Sequence, residues 1–128
     1  MTEHDPHTHP QQELAVLRAR YRRELPGKVR AVCEGAAALA DAWDPARLEA
    51  LHLLVHRLVG SAAIYGFGEV SHAAALLEAE VAAAMEAPAA PPPQVRAQFE
   101  ALVEPLARAV AETARPVRPP QRTRPRPR

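Results

Sequence analysis

The chain has 128 residues, which suits one domain, and 48% of them are hydrophobic although only 4% are aromatic. Strand-forming residues are sparse, so the composition disfavours an all-β fold. With the single cysteine Cys33 no disulfide framework can form, and no apolar stretch suits a signal peptide or a membrane span. We therefore expect a cytoplasmic, helical protein.

The charge is unevenly distributed along the chain. The net charge is +1, but residues 114–128 contain six Arg and no acid, which leaves 10 basic and 15 acidic residues elsewhere. We predict that this Pro/Arg-rich tail and a polar leader, residues 1–11, are disordered and flank one helical domain, residues 12–113. The tail has the charge to contact nucleic acid, but we expect neither nucleic acid nor a membrane as the partner.

Four amphipathic segments follow one another in this domain. The first, about 12–41, is interrupted by Pro26-Gly27, so we predict a broken or kinked helix and hence an extra N-terminal helical segment. Asp44-Pro45 is a helix start, and the glycine-containing stretch 65–68 is a turn. The helices predicted after the first cover about 45–64, 68–86 and 94–113, the last with a kink or a local break at Pro105. The predicted fold is an all-α, antiparallel four-helix bundle.

His56 lies outside the core face of the second helix. With Leu48 placed at zero and ~100° added per residue, the apolar stripe falls near ~280–340°, whereas His56 falls near ~80°. The stripe consists of Leu51, Val55, Leu58 and Ala62, and the face around His56 consists of His52, Val59, Gly60 and Ala63. Gly60 is one turn from His56, where residues at i and i+4 are neighbours, so it leaves space beside the imidazole. An exposed, cleared imidazole suits a nucleophile that meets a bulky group on another protein.

These residues resemble a known family. His56, Leu58, Gly60, Ser61 and Gly66 occupy the positions of the motif of the histidine-phosphotransfer (HPt) domain of bacterial phosphorelays, and Leu77-Glu78 fits a downstream Leu-Glu of that pattern. The resemblance implies that His56 accepts a phosphoryl group from a receiver-domain phosphoaspartate and passes it to another receiver. The implied partners are response regulators or hybrid histidine kinases. The resemblance also implies no kinase activity and no cofactor of the domain's own, with Mg²⁺ supplied by the receiver.

One position departs from the family pattern. The family usually has lysine three residues after the histidine, and here that residue is Val59. Arg57 points too far round the helix to be a simple substitute. A receiver-binding module that does not transfer phosphate is therefore an alternative function, and a helical adaptor with a nucleic-acid-binding basic tail is a third.

Two further expectations concern side chains near the motif. His52 and His56 are at i and i+4, but no H-E-x-x-H pattern and no third ligand accompany them, so we expect no metal. The Ser61 hydroxyl is expected to bond to a backbone carbonyl. We expect a monomer.

Overall fold

A computed structural model describes residues 10–87 and 89–115, and the regular elements in these ranges are four α-helices. They are α1 (Pro10–Asp41), α2 (Pro45–Ile64), α3 (Gly68–Glu86) and α4 (Pro93–Thr113). Short links make successive helices antiparallel, and α1 also packs against α4, which closes the bundle. The predicted disordered leader and tail lie outside the described residues, apart from residues 10, 11, 114 and 115. Among the described residues, no helix has the length and apolar character that crossing a membrane requires.

Of the two forms predicted for α1, a broken or a kinked helix, the broken one is wrong. The helix runs without interruption through Pro26, so the extra N-terminal segment is the first half of one 32-residue helix. Proline removes one helical hydrogen bond, here the bond to the Arg22 carbonyl, but both residues are exposed, so this carbonyl is within reach of water. Tyr21, Leu25 and Val29 on either side of the proline are buried. Packing on both sides therefore keeps the helix continuous, and α4 likewise continues through the exposed Pro105.

The core consists of one apolar stripe from each helix. The predicted stripe of α2 is confirmed, since its residues are at most 2% exposed: Leu51, Val55, Leu58 and Ala62. Phe99 of α4 is buried and lies 6.4 Å, centroid to centroid, from the half-buried Trp43 in the link between α1 and α2. Burial of this stripe fixes the rotation of α2 and therefore decides which of its residues face outward.

Both ends of α2 are set by local sequence. Asp44 caps the N-terminus by accepting a hydrogen bond from the Ala46 amide at 3.0 Å, and Pro45 occupies the first turn. At the other end the amides of Gly66 and Phe67 donate to the carbonyls of Ala63 and Ala62, a Schellman motif. Gly66 has φ +82°, which a glycine adopts without strain. These caps hold α2 and α3 as an antiparallel pair with a three-residue link.

α1 holds the turn between α2 and α3 in place. The Arg18 guanidinium donates to the Tyr65 carbonyl at 3.0 Å and lies 4.6 Å from the centre of the Phe67 ring. Tyr21 stacks on Tyr65 with 4.6 Å between ring centroids, and its hydroxyl shares a 2.6 Å hydrogen bond with the Ser61 hydroxyl. Instead of the expected bond to a backbone carbonyl, the Ser61 hydroxyl therefore makes a side-chain hydrogen bond that joins α1 to α2.

We expect Tyr21→Phe to lower the free energy of unfolding by about 1 kcal/mol at pH 7, because the bond to Ser61 is lost. Burial raises the pKa of Tyr21 above its ordinary value of 10.0, so the folded chain holds this proton more tightly than the unfolded chain. The resulting stability is complete below pH 10 and is lost as the pH rises through the pKa of the folded state. Urea unfolding at pH 7 and between pH 9 and 11 tests this, and equal pH slopes for Tyr21→Phe and wild type would contradict it.

Candidate functional site

His56 stands on the outer face of α2, as predicted. Its side chain is 67% exposed, whereas Val55 beside it is fully buried. Because Val55 and Leu58 anchor the helix in the core, His56 cannot turn inward without moving α2. The structure therefore presents the imidazole to anything that approaches this face.

Glu78 of α3 holds one nitrogen of the His56 ring. Its Oε2 lies 2.6 Å from His56 Nδ1, and the carboxylate is 22% exposed. A carboxylate only accepts hydrogen bonds, so Nδ1 carries the proton and donates. In the neutral ring this tautomer leaves the lone pair on Nε2, the nitrogen that is not bonded to Glu78. The pair thus orients the ring and makes Nε2 the nucleophilic atom.

His52 completes this group of side chains one turn earlier on α2. Its ring lies 6.0 Å from that of His56, centroid to centroid, at an interplanar angle of 17°. Its Nε2 is 3.8 Å from Glu78 Oε2, at the outer limit of an ion pair that requires a protonated ring. Within residues 10–87 and 89–115 no set of three His, Cys, Asp or Glu side chains is placed to hold a metal ion. His52 therefore lies beside the His56 ring, with the two ring planes nearly parallel.

The residues that follow His56 on its face of α2 have small side chains or none. Gly60 and Ala63 follow it on α2, and both are exposed. A Cβ atom placed at Gly60 has no protein atom within 4 Å outside its own turn of helix, and its φ is not positive. Neither packing nor backbone conformation therefore requires this glycine, although it costs helix stability of about 1 kcal/mol relative to alanine. Gly60 thus leaves open space one turn from His56 that the fold itself does not use.

Val59 supplies no charge to the site. Its side chain is half-buried against the core, and its carbonyl accepts a 2.8 Å hydrogen bond from the Ser71 hydroxyl of α3. Arg57 lines a groove between α1 and α2, away from α3 and Glu78. Gly66 belongs to the turn, ten residues and about 15 Å along the helix from His56, so its role is in the fold of the turn. Of the predicted site residues, His52, Val59 and Gly60 are thus one turn from His56 on α2, and Ala63 follows two turns away on the same face.

Glu78 is the site residue that sequence reasoning left without a role. It was matched to the family pattern only as part of Leu77-Glu78. One signal was available: Glu78 follows the buried Leu77 and lies about 80° from Val70 on the helical wheel, at the edge of the core stripe of α3. Such a position faces a neighbouring helix. Which helix, and which residue on it, depends on how α2 and α3 are aligned.

An exposed, carboxylate-oriented imidazole beside a small residue on a helical bundle has the geometry to receive a group from another protein. The family model described as the Hpt domain matches residues 13–109. The chain therefore belongs to the Hpt domain family, whose members are histidine-phosphotransfer modules of phosphorelays, act on receiver domains and are not kinases. No curated protein and no solved structure matches the chain significantly.

Proposed function

We propose that the chain is a phosphorelay intermediate that accepts a phosphoryl group on His56 Nε2 from a receiver-domain phosphoaspartate and donates it to another receiver. The observation that carries this is the exposed His56 ring, whose Nδ1 is bonded to Glu78 and whose Nε2 is not, beside a glycine that the fold does not require. The resemblance and the family match support the same function.

The chemistry needs little from the chain itself. The Nε2 lone pair attacks phosphorus, the phosphorus–oxygen bond of the acyl phosphate breaks, and the aspartate carboxylate leaves with the electron pair. The phosphorylated ring keeps its proton on Nδ1 and carries a positive charge, which the Glu78 carboxylate at 2.6 Å offsets. Attack by a second receiver's aspartate on phosphorus reverses these bond changes. The Mg²⁺ that neutralises the phosphoryl oxygens comes with the receiver.

Phosphotransfer profiling tests this function. The purified chain is mixed with a panel of labelled, phosphorylated receiver domains and Mg²⁺, and label on the chain is followed over time. We expect rapid, acid-labile label from at least one receiver and its return to a second, unphosphorylated receiver. Acid-stable label, or label that arises without a receiver, would contradict the proposal.

The second candidate is a receiver-binding module that transfers nothing. The observation in its favour is Val59, which packs against the core where the family usually has lysine. Such a module binds receivers in the profiling panel but gains no label. Val59→Lys separates the two candidate functions. If the chain only binds receivers because the cation is missing, the wild type gains no label and Val59→Lys does. We expect instead that the wild type is labelled at a measurable rate and that Val59→Lys changes this rate.

We expect Glu78→Gln to slow phosphoryl acceptance about 10-fold, by analogy with the loss of a carboxylate that orients a metal-binding histidine. Glutamine offers both a donor and an acceptor, so the ring is no longer held as the Nδ1–H tautomer and its phosphorylated form loses its counter-charge. Transfer kinetics give the rate, and ¹⁵N chemical shifts of His56 give the tautomer. Glu80→Gln, the same change two residues away on α3, serves as the control. Unchanged ¹⁵N shifts in Glu78→Gln would show that Glu78 does not position the ring.

A further inference from the structure

An open groove of about 570 Å³ runs between α1 and α2, on the side of α2 that faces away from Glu78. Small or apolar residues line it together with three cations: Gly27, Leu54, Leu58, Arg23, Lys28 and Arg57. The acid that lines it, Glu24, lies 3.4 Å from Arg20, with which it forms an ion pair. The groove therefore combines apolar surface with positive charge.

Small and basic residues of α1 create this groove. A Cβ atom placed at Gly27 meets no protein atom within 4 Å outside its own turn of helix, so a larger residue has room there. Leu54 on the opposite side is 39% exposed and is not covered by α1. Residues 18–30 of α1 contain six basic residues and one acid, while the chain outside its basic tail is acidic overall. The positive charge of the folded domain is thus concentrated on this stretch of α1, and Arg23 and Lys28 bring part of it to the groove.

The groove lies within reach of any protein that docks on His56. Arg57 follows His56 in sequence and points ~100° further round a helix that is only ~10 Å wide. A stable protein–protein contact covers about 800 Å² on each partner, a patch roughly 30 Å across. A receiver centred over His56 and Gly60 therefore extends beyond α2 on at least one side.

The two sides of α2 differ in what they offer such a partner. On the α3 side the residues that flank Glu78 are the small Ala75, Ala79 and Ala82. On the α1 side are a partly exposed leucine, a recess and three cations. Binding energy in interfaces is concentrated in apolar anchors that enter recesses and in arginine contacts. The α3 side also has a recess, at Leu48 and Met85, but the charged residue that lines it is Glu49. The side that combines a recess with cations is therefore the α1 side.

We propose that this groove is the specificity-determining dock for the receiver domain that exchanges phosphate with His56, and that it takes an apolar side chain flanked by a carboxylate on the receiver. The inference rests on the proposed function, since it requires a receiver at His56. The phosphoryl chemistry occurs on one side of α2 and partner selection on the other. A receiver without an acidic, apolar segment at this position exchanges phosphate slowly.

Charge reversal on α1 tests the dock at a distance from His56. The double variant Arg23→Glu/Lys28→Glu is compared with wild type, using as donor the phosphorylated receiver that labels the chain best. We expect KM for that receiver to rise about 10-fold and to lose much of its salt dependence, with kcat unchanged. Labelling of His56 by phosphoramidate, a small donor that needs no dock, stays at the wild-type rate. Gly27→Leu, which fills the recess without changing charge, is expected to raise KM as well.

The matched control is Arg22→Glu/Arg30→Glu, which makes the same charge change on α1 at residues that do not line the groove. Equal KM effects in the two double variants would mean that only net charge matters and would overturn the dock. An unchanged KM in both Arg23→Glu/Lys28→Glu and Gly27→Leu would also overturn the dock. In that case the proposed function would still hold, because the wild-type chain is labelled. Absence of label from every receiver would instead defeat the proposed function, and the dock with it.

Discussion

His56→Gln is expected to abolish phosphoryl acceptance while leaving the bundle as stable as wild type. The amide nitrogen of glutamine is not a nucleophile, so no phosphoramidate can form at this position. The His56 side chain is 67% exposed, and its ion pair with Glu78 is of the surface type, worth about 0–1 kcal/mol. The measurement is label from the best phosphorylated receiver, together with urea unfolding of the same preparation.

His72→Gln supplies the control for this result. His72 is an exposed histidine of α3 that makes no hydrogen bond with His56 or Glu78. It should accept label at the wild-type rate and confirm that the loss is specific to position 56. Label that persists on His56→Gln would place the phosphoacceptor elsewhere and would falsify the assignment of His56.

Two substitutions of Gly60 are expected to have different effects: alanine raises the stability of the bundle, and tryptophan slows phosphoryl transfer from a receiver. Gly60→Ala should raise the free energy of unfolding by about 1 kcal/mol, because alanine is the better helix former and its Cβ meets no other part of the chain. Gly60→Trp also folds, but it places a large ring one turn from His56. We expect it to slow transfer from a receiver at least ~10-fold, the effect of a lost interface hot spot. Labelling by phosphoramidate stays measurable.

Ala83→Trp is the matched control for Gly60→Trp. Ala83 is exposed on α3 and lies ~140° round that helix from Glu78, so it faces away from α2. A tryptophan there should leave transfer unchanged. If Gly60→Trp transferred as fast as Ala83→Trp, no bulky partner would be approaching His56 across Gly60, and the explanation of that glycine would fail.

Features that depend on one helix at a time follow from the amino-acid sequence without knowledge of the packing. The buried stripe Leu51, Val55, Leu58 and Ala62, the outward position of His56 and the neighbourhood of Gly60 all follow from the fixed ~100° step of an α-helix. The cap at Asp44 and the turn at Gly66 are equally local, because each involves a few consecutive backbone groups. The motif that indicates the family spans one helix and one turn, so it can be recognised without the tertiary structure.

The way in which the helices meet is a property of the packed fold. The bond between His56 and Glu78 and that between Tyr21 and Ser61 join residues 22 and 40 positions apart, and each depends on the relative rotation and alignment of two helices. Periodicity within a helix carries no information on that alignment to within a hydrogen-bond length. Pro26 was misjudged for a related reason: its local cost of ~3 kcal/mol is set against the packing of α1 on α2 and α4, which a propensity does not include. The groove beside His56 exists only because Gly27 of α1 comes to lie opposite Leu54 of α2, a juxtaposition made by the fold.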